Sequence, residues 1–448
     1  MIERQMLKSI LENPGKYIND YLRLEKDVAV SRAVYKGKPV PFLYIPKLYM
    51  PEDINSFQEA LRQMFEIINR SVYLYMNMPD IRRLFGFDER LDSLIRLPHY
   101  YDCNVPMGRF DLFYYAPGKF QFCELNTDGT SAMIEQKELA DLLAGSRIMK
   151  DFSGAVSCTG FELFESWVNT VAGIYKQYAE NTGIHEKSRA ETLVAIVDFM
   201  DSASPVEFKE FARAFELKGF RCIIADPGEI KTAKGYMYHR DRKIDIVYRR
   251  LVTKDMMERY EEIPAFIEGL YAGRTCIIGS IKTQIVHTKK YFQVLHEPLF
   301  QKHLSPKQRL FIDRHIPFTQ KLEEEHLQEA YSRDREDYII KPVDYYASKG
   351  VYAGSSYSEP GWKELLRQSS RKDYIIQRYA PPSFMDNIIY SDKGGFEKKT
   401  FRTITGLFVY GEMLAGLYVR GGLSPIISGL HNGYTLGAFS ARLRTVEA

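Results

Sequence analysis

Residues 108–129 read GRFDLFYYAPGKFQFCELNTDG. Two runs dense in aromatic and apolar residues flank Pro117 and Gly118, the composition of two strands around a turn. With those two residues at the middle of the turn, Asp111 faces Glu124 and Arg109 faces Asn126 across the pair. Pro-Gly suits a type II turn rather than the primed types of a two-residue hairpin, and a four-residue loop, Ala116 to Lys119, keeps the same register. Side chains alternate along a strand, so all four project to one side.

Directly opposed carboxylates repel. Phe113 and Phe122 are expected on the same face, where they limit relief by water. Magnesium removes the conflict, because hard oxygen donors suit it and it keeps few protein ligands beside water and phosphate oxygens. Asp111, Glu124 and Asn126 are therefore read as a metal site, and Arg109 beside them as a two-pronged phosphate contact. The bland alternative is a surface hairpin whose charges pair with Arg109 and solvent.

The chain has 448 residues, 45% hydrophobic and 27% charged, which fits an ordinary globular protein of two or three units. Lys plus Arg exceed Asp plus Glu by only three, 61 against 58, so no global charge recommends a nucleic-acid partner. Five cysteines without a CxxC pair read as reduced thiols. The nine histidines show no HExxH arrangement, which argues against a zinc enzyme. No apolar run is long enough to cross a bilayer, and the opening MIERQMLKSILENPGKYIND lacks a secretory pattern, so a cytoplasmic location is expected.

Ile54 to Leu74 has helical periodicity, and a helical stretch is expected from about Ser131 to Lys176. Within 192–283, TLVAIVDFM, FRCIIAD, IDIVYRRL and TCIIG read as buried strands, with PVEFKEFARAFELKG as a helix between the first two. That rhythm suggests an α/β unit with a parallel sheet. The remainder, 286–448, holds short strands among glycine-containing loops and reads as α+β. DYIIKPVDYYASKGVYAG places Lys341 at a strand end and Lys349-Gly350 in a loop; a lysine there reaches a phosphate as a point charge, and loop amides wrap one. An exposed turn explains the loop as well. In DYIIQRYAPPS, Gln377 to Tyr379 form a candidate hinge for an adenine edge, or an ordinary edge strand. HTKKYFQVLHEP contributes Lys289 and Lys290 at a helix start.

Taken in order, these motifs resemble the circularly permuted branch of the ATP-grasp ligases, which includes glutathionylspermidine synthase and the eukaryotic glutathione synthetases. The resemblance runs from about Gly108 to Gly437 and is most specific in GRFD followed by FCELNTDG. It implies an ATP-grasp fold with a Rossmann-like pre-ATP-grasp domain. The expected divisions are 1–190 (N-terminal helical segment plus a metal-binding hairpin that belongs to the ATP-grasp core), 191–285 (α/β pre-ATP-grasp substrate domain) and 286–448 (ATP-grasp lobes). It implies ATP and Mg2+ as cofactors, with Arg109, Asp111, Glu124 and Asn126 holding metal and phosphate. Lys341 and one of Lys289 or Lys290 would hold ATP. Tyr248, Arg249 and Arg250 in IDIVYRRL are candidate substrate contacts. LYVRGG and LHNGYTLGA point to Arg420 at the acyl phosphate and to Asn432 and Gly433 near the donor substrate, with Arg402 a further candidate. Glutathione synthetases carry a glutamate four residues after the second lysine; here Tyr345 stands there, with Asp344 one residue earlier.

The expected activity is joining a small-molecule or peptide carboxylate to an amine through an acyl phosphate. A phosphotransferase on the same fold and a non-catalytic nucleotide-binding module are the alternatives. No membrane or nucleic-acid partner is expected, and association of identical chains is left open.

Overall fold

The computed structural model describes residues 2–35, 37–201, 203, 205–323, 334–343, 345, 349–427 and 433–444. Its largest sheet has eight strands drawn from distant parts of the chain. Seven are β1 (Phe42–Tyr49), β2 (Met107–Ala116), β3 (Lys119–Asn126), β4 (Ser383–Ser391), β5 (Gly395–Tyr410), β6 (Met413–Gly422) and β7 (Tyr434–Leu443). The order is β1-β7-β6-β5-β2-β3, with β4 also on β5 and a short strand, Val156–Thr159, on β7. β5 is long enough to pair with β4 through its first half and with β2 through its second. The 108–129 hairpin therefore lies in one sheet with the C-terminal strands. Fully buried Asn387 on β4 accepts from Ile45 N (3.2 Å) and donates to Ile45 O (2.8 Å). One side-chain amide thus satisfies both backbone groups of Ile45 in β1, the end strand of the sheet.

The hairpin has the expected pairs, Arg109 with Asn126 and Asp111 with Glu124. Between them and the turn the register slips twice. Cys123 is extra on β3 and Tyr115 is extra on β2, so the two bulges cancel. One consequence corrects the sequence reading. Phe122 pairs with Leu112 and packs on Phe110 (ring centroids 6.4 Å apart), on the opposite face from Asp111. Cys123 takes the place expected for it and joins Phe113, Ala380, Ile404 and Ile427 in a small apolar cluster.

A second sheet is wholly parallel, in the order Arg221–Ala225, Leu193–Val197, Ile246–Arg249, Cys276–Ile278. Leu193–Val197 is buried along its whole length, as its unbroken β-branched and apolar run requires. Helix Pro205–Leu217 joins it to the next strand and ends before Gly219, whose φ of 89° only glycine adopts readily. Phe208, Phe211 and Phe215 of that helix pack on Val194, Ile196 and Ile246. Residues 131–176 do not form the continuous helical stretch expected. Helices Met133–Ala144 and Arg147–Asp151 are parted by Gly145 and the N-cap Ser146, and the strand Val156–Thr159 precedes helix Glu165–Thr182.

The third sheet is antiparallel, Thr319–Lys321, Tyr374–Arg378, Tyr338–Pro342 and Tyr352–Ala353. Trp362 and Leu366 of helix Glu359–Ser370 cover Leu322, Ile340 and Ile376, giving this lobe its own core. Among the described residues no helix is long and apolar enough to cross a membrane.

Replacing Asn387 by leucine leaves Ile45 N–H and C=O unpaired in the interior. Each such group costs about 1–3 kcal/mol, so denaturant unfolding is expected to show a loss of at least ~2 kcal/mol. A change below ~0.5 kcal/mol would contradict this role.

Candidate functional site

Asp111 is completely buried on β2, between β5 and the outer strand β3. Its Oδ1 accepts from Arg109 Nε (2.9 Å), and its Oδ2 accepts from Arg109 Nη2 (3.1 Å), Asn126 Nδ2 (3.2 Å) and Arg420 Nη2 (2.6 Å). Asn126 Nδ2 also donates to Glu124 Oε1 (3.2 Å), so one amide N–H2 group stands between the two carboxylates. The conflict between Asp111 and Glu124 is relieved by two arginines and an amide. Glycine is required at position 406, directly across from Asp111 on β5. A Cβ there would lie 2.7 Å from Asp111 Oδ1 and 2.8 Å from Arg109 Cδ.

Glu124, on the same face of the hairpin, reaches into a cavity with about 700 Å3 of empty space between that face and the antiparallel lobe. Lys289, Lys341, Gln377, Tyr379 and Arg420 line the same cavity. Fully apolar side chains, Phe113, Ile339, Val351, Ile404 and Ile427, complete its wall. Lys341 is buried; its Nζ donates to Gln377 Oε1 (2.7 Å) and to the carbonyl of the bulged Cys123 (3.2 Å). Gln377 is held in turn by donating to Thr319 Oγ1 (2.8 Å). Lys289 donates to the carbonyl of Tyr345, and its own amide donates to Val343 O (3.2 Å). Burial alone would raise the Glu124 carboxyl, but Lys289, Lys341, Arg420 and the Asn126 hydrogen bond bring it down to about 2. Four cationic heads thus surround two carboxylates, an excess of positive charge beside an apolar slot. A polyanion carrying a flat apolar group suits that combination.

The predicted residues separate on this geometry. Lys289 reaches the cavity and Lys290 does not; the Lys290 head lies over Gly86, at the end of helix Pro79–Phe85. Gln377 serves Lys341 through its side chain. The amides of Arg378 and Tyr379 are committed to Phe318 O (2.9 Å) and Asp337 O (2.7 Å), so an adenine edge would have to use other hinge atoms. Arg249 is spent on a buried ion pair with Asp128 (2.5 Å) and on the carbonyls of Gly279 and Leu251, and so does not present itself as a free substrate contact. Arg250 is likewise paired with Glu207 (2.7 Å). Arg402 donates to Leu423 O (2.6 Å) and lies over the Phe384 ring. Lys349 is exposed, and Gly350 turns the chain with a φ of 69° just before Val351 enters the cavity wall. Gly433 is buried immediately before β7. Asn432 and Asp344 lie outside the described residues.

Among the described residues no group of three or more His, Cys, Asp or Glu side chains is arranged to hold a metal. Asp111 already accepts four donors, which leaves Glu124 as the carboxylate turned to the cavity, with Asn126 beside it. That donor set suits a magnesium ion shared with ligand phosphates, because such an ion needs few protein oxygens. Sequence reasoning missed Gly406, Tyr418 and Glu135. Tyr418 lies beneath both arginines, with Cζ to ring-centroid distances of 5.3 Å for Arg109 and 5.6 Å for Arg420. The only local signal for Tyr418 is its position two residues before Arg420, on the same face of one strand.

No protein-family model matches the chain, and no curated protein matches it. Among solved structures, the D-cycloserine synthetase DcsG is similar at 18% identity, over 47% of this chain and 67% of that one, with a TM-score of 0.27. The macrocyclase MdnC, solved with its precursor peptide MdnA from Microcystis aeruginosa, is similar at 12% identity, over 55% of this chain and 90% of that one, with a TM-score of 0.31. Overlap of that extent leaves the functional reading to the site's own residues.

The folded-state pKa of Glu124 lies below its ordinary 4.5, so the unfolded chain binds the extra proton between about 2 and 4.5. Its stabilising contribution is present above that window and is lost as pH falls through it. Glu124→Gln is expected to be less stable than the wild type at pH 7 in denaturant titrations. The difference should close as pH falls from about 4.5 towards 2, and a pH-independent gap would contradict the assignment.

Proposed function

We propose that this chain is an ATP- and magnesium-dependent ligase that joins a small-molecule or peptide carboxylate to an amine, on a circularly permuted ATP-grasp fold. The observation that carries this reading is the convergence of Glu124, Lys289, Lys341 and Arg420 on one cavity of net positive charge with an apolar wall. They come from the hairpin, a helix start and two different sheets. The pairing of β2 with β5, which puts the hairpin in one sheet with the C-terminal strands, supports the permuted order. It also supports assigning the hairpin to the ATP-grasp core, with β1 in the same sheet. The parallel sheet of 193–278 is the proposed pre-ATP-grasp unit.

In this mechanism Lys289 and Lys341 hold the phosphate chain of ATP, and Phe113, Ile404 and Ile427 shelter its base. Magnesium, held by Glu124 and Asn126, would neutralise charge on the phosphates. A substrate carboxylate oxygen attacks the γ-phosphorus, the bond to ADP breaks, and an acyl phosphate results. The amine then attacks the acyl carbon, the C–O bond to the phosphoryl group breaks, inorganic phosphate departs with the former carboxylate oxygen, and the proton lost by the amine passes to that phosphate or to solvent. Arg109 and Arg420, fixed in advance by Asp111, stabilise the charge that develops on the transferring group, the kind of preorganised donor worth about 2.7–4 kcal/mol in a barrier. No nucleophilic side chain is needed, because the phosphate supplies the leaving group.

Calorimetry with a non-hydrolysable ATP analogue and magnesium tests the nucleotide assignment without knowledge of the other substrates. The wild type should bind, and Glu124→Gln, Lys341→Met and Gly406→Val should each bind roughly tenfold more weakly or worse. Equal affinity across all four proteins would contradict the reading. A phosphotransferase would release ADP without a trial amine being consumed, so product analysis with and without amine separates that outcome.

A further inference from the structure

Arg109 and Arg420 are two like charges brought to one carboxylate, Asp111, which balances only one of them. Glu124 adds a second negative charge that it shares with Lys289 and Lys341, and a further contact lies on the other side of the pair. The ring of Tyr418 lies under both guanidinium groups and offers each the negative face of its π-system. The ring is itself fixed. Its hydroxyl donates to Glu135 Oε2 at 2.6 Å, and both residues are buried.

Glu135 stands in the first turn of helix Met133–Ala144, and that turn is pinned. Glu207 accepts from the amides of Met133 (2.8 Å) and Ile134 (3.2 Å). Just ahead of the helix, Ser131 O accepts from Arg109 Nη1 (3.1 Å). The contacts therefore form a ring: Arg109 to Ser131, along the chain to Glu135, across to Tyr418 and back under Arg109. Within it Arg420 Nε is buried with no partner among the described residues, a donor left over for a ligand oxygen.

We infer that Tyr418 and Glu135 are positioning residues that hold Arg109 and Arg420 side by side for work on the transferring phosphoryl group. The kinetic part of this inference rests on the proposed function; the geometric part does not. Glu135 is faced by Tyr418 and Arg420 from β6, Arg109 from β2 and Glu207 from helix Pro205–Leu217. Burial and the neighbouring Glu207 push its carboxyl up to about 7, against the pull of Tyr418 and the two arginines. Above that pH Glu135 is an anion that draws on the Tyr418 hydroxyl; below it the carboxyl is neutral and the arginine pair loses a nearby negative charge.

The test uses the full chain, wild type and the variants Glu135→Gln, Tyr418→Phe and Tyr418→Leu. The Nε–H resonances of Arg109 and Arg420, assigned with Arg109→Lys and Arg420→Lys, report their positions whether or not ATP is a substrate. In the wild type they should shift with pH around a midpoint near 7. Glu135→Gln should abolish that titration, Tyr418→Phe should move its midpoint upward because the hydrogen bond that favours the anion is lost, and Tyr418→Leu should broaden or erase the signals. In ATP turnover, Glu135→Gln and Tyr418→Phe should lower kcat roughly tenfold while KM for ATP moves less than about twofold. Arginine signals that neither titrate in the wild type nor change in the variants would overturn the inference. Titrating signals in a protein that never binds ATP would uphold it and reject the ligase instead.

Discussion

A single fully buried carboxylate, Asp111, holds two arginines from different strands, and most of the site follows from that arrangement. Burying an ion is costly unless its hydrogen-bonding capacity is met. Asp111 meets it with four donors, from Arg109, Arg420 and Asn126. The approach is possible only because β5 carries Gly406 opposite, where any side chain would displace the pair. Once the arginines are fixed by Asp111, Glu124 is the acidic group left to face the cavity.

The cavity's chemistry is a matter of charge balance. Lys289, Lys341 and Arg420 hold Glu124 ionised despite its burial, and they exceed it in charge. An excess of cations in a partly enclosed, low-dielectric space is stabilised by an anionic ligand, and the attraction is stronger there than at an open surface. The lobe formed by 319–378 has its own small core, separate from that of the main sheet. Its cationic head, Lys341, is nevertheless tied across the cavity to the Cys123 carbonyl, a contact the β3 bulge presents. A bulge beside a functional residue, re-aiming a backbone group, is a recurring device in sheets.

Much of this was legible in the sequence where the physics is local. Turn placement alone paired Asp111 with Glu124 and Arg109 with Asn126, and the pairing stands because the bulges at Tyr115 and Cys123 cancel. The same bulges misled the reading of Phe122, since a one-residue slip reverses the facing of a side chain. Local patterning also gave the strands around Val194, Ile223, Val247 and Ile277 and the helix between the first two. It gave Lys289 and Lys290 equal standing, because the choice depends on where helix Pro79–Phe85 lies, far away in sequence. Arg420 as the third partner of Asp111 was hidden for the same reason, whereas Arg109 and Asn126 were placed beside it by the hairpin register. Opposed acids announced a need for positive charge; a metal was the local guess, whereas β5 and β6 bring Arg420 and Gly406 through long-range pairing that no short window contains. Tyr418 and Glu135 matter only through that pairing.

The central claim is that the Glu124 cavity holds the phosphates of a nucleotide. A crystal structure of the chain with magnesium and a non-hydrolysable ATP analogue tests it most directly. The β- and γ-phosphates are expected between Lys289, Lys341 and Arg420, the metal on Glu124, and the base against Phe113, Ile404 and Ile427. Phosphates bound elsewhere, or a nucleotide in this cavity with Glu124 turned away from both metal and phosphate, would contradict it.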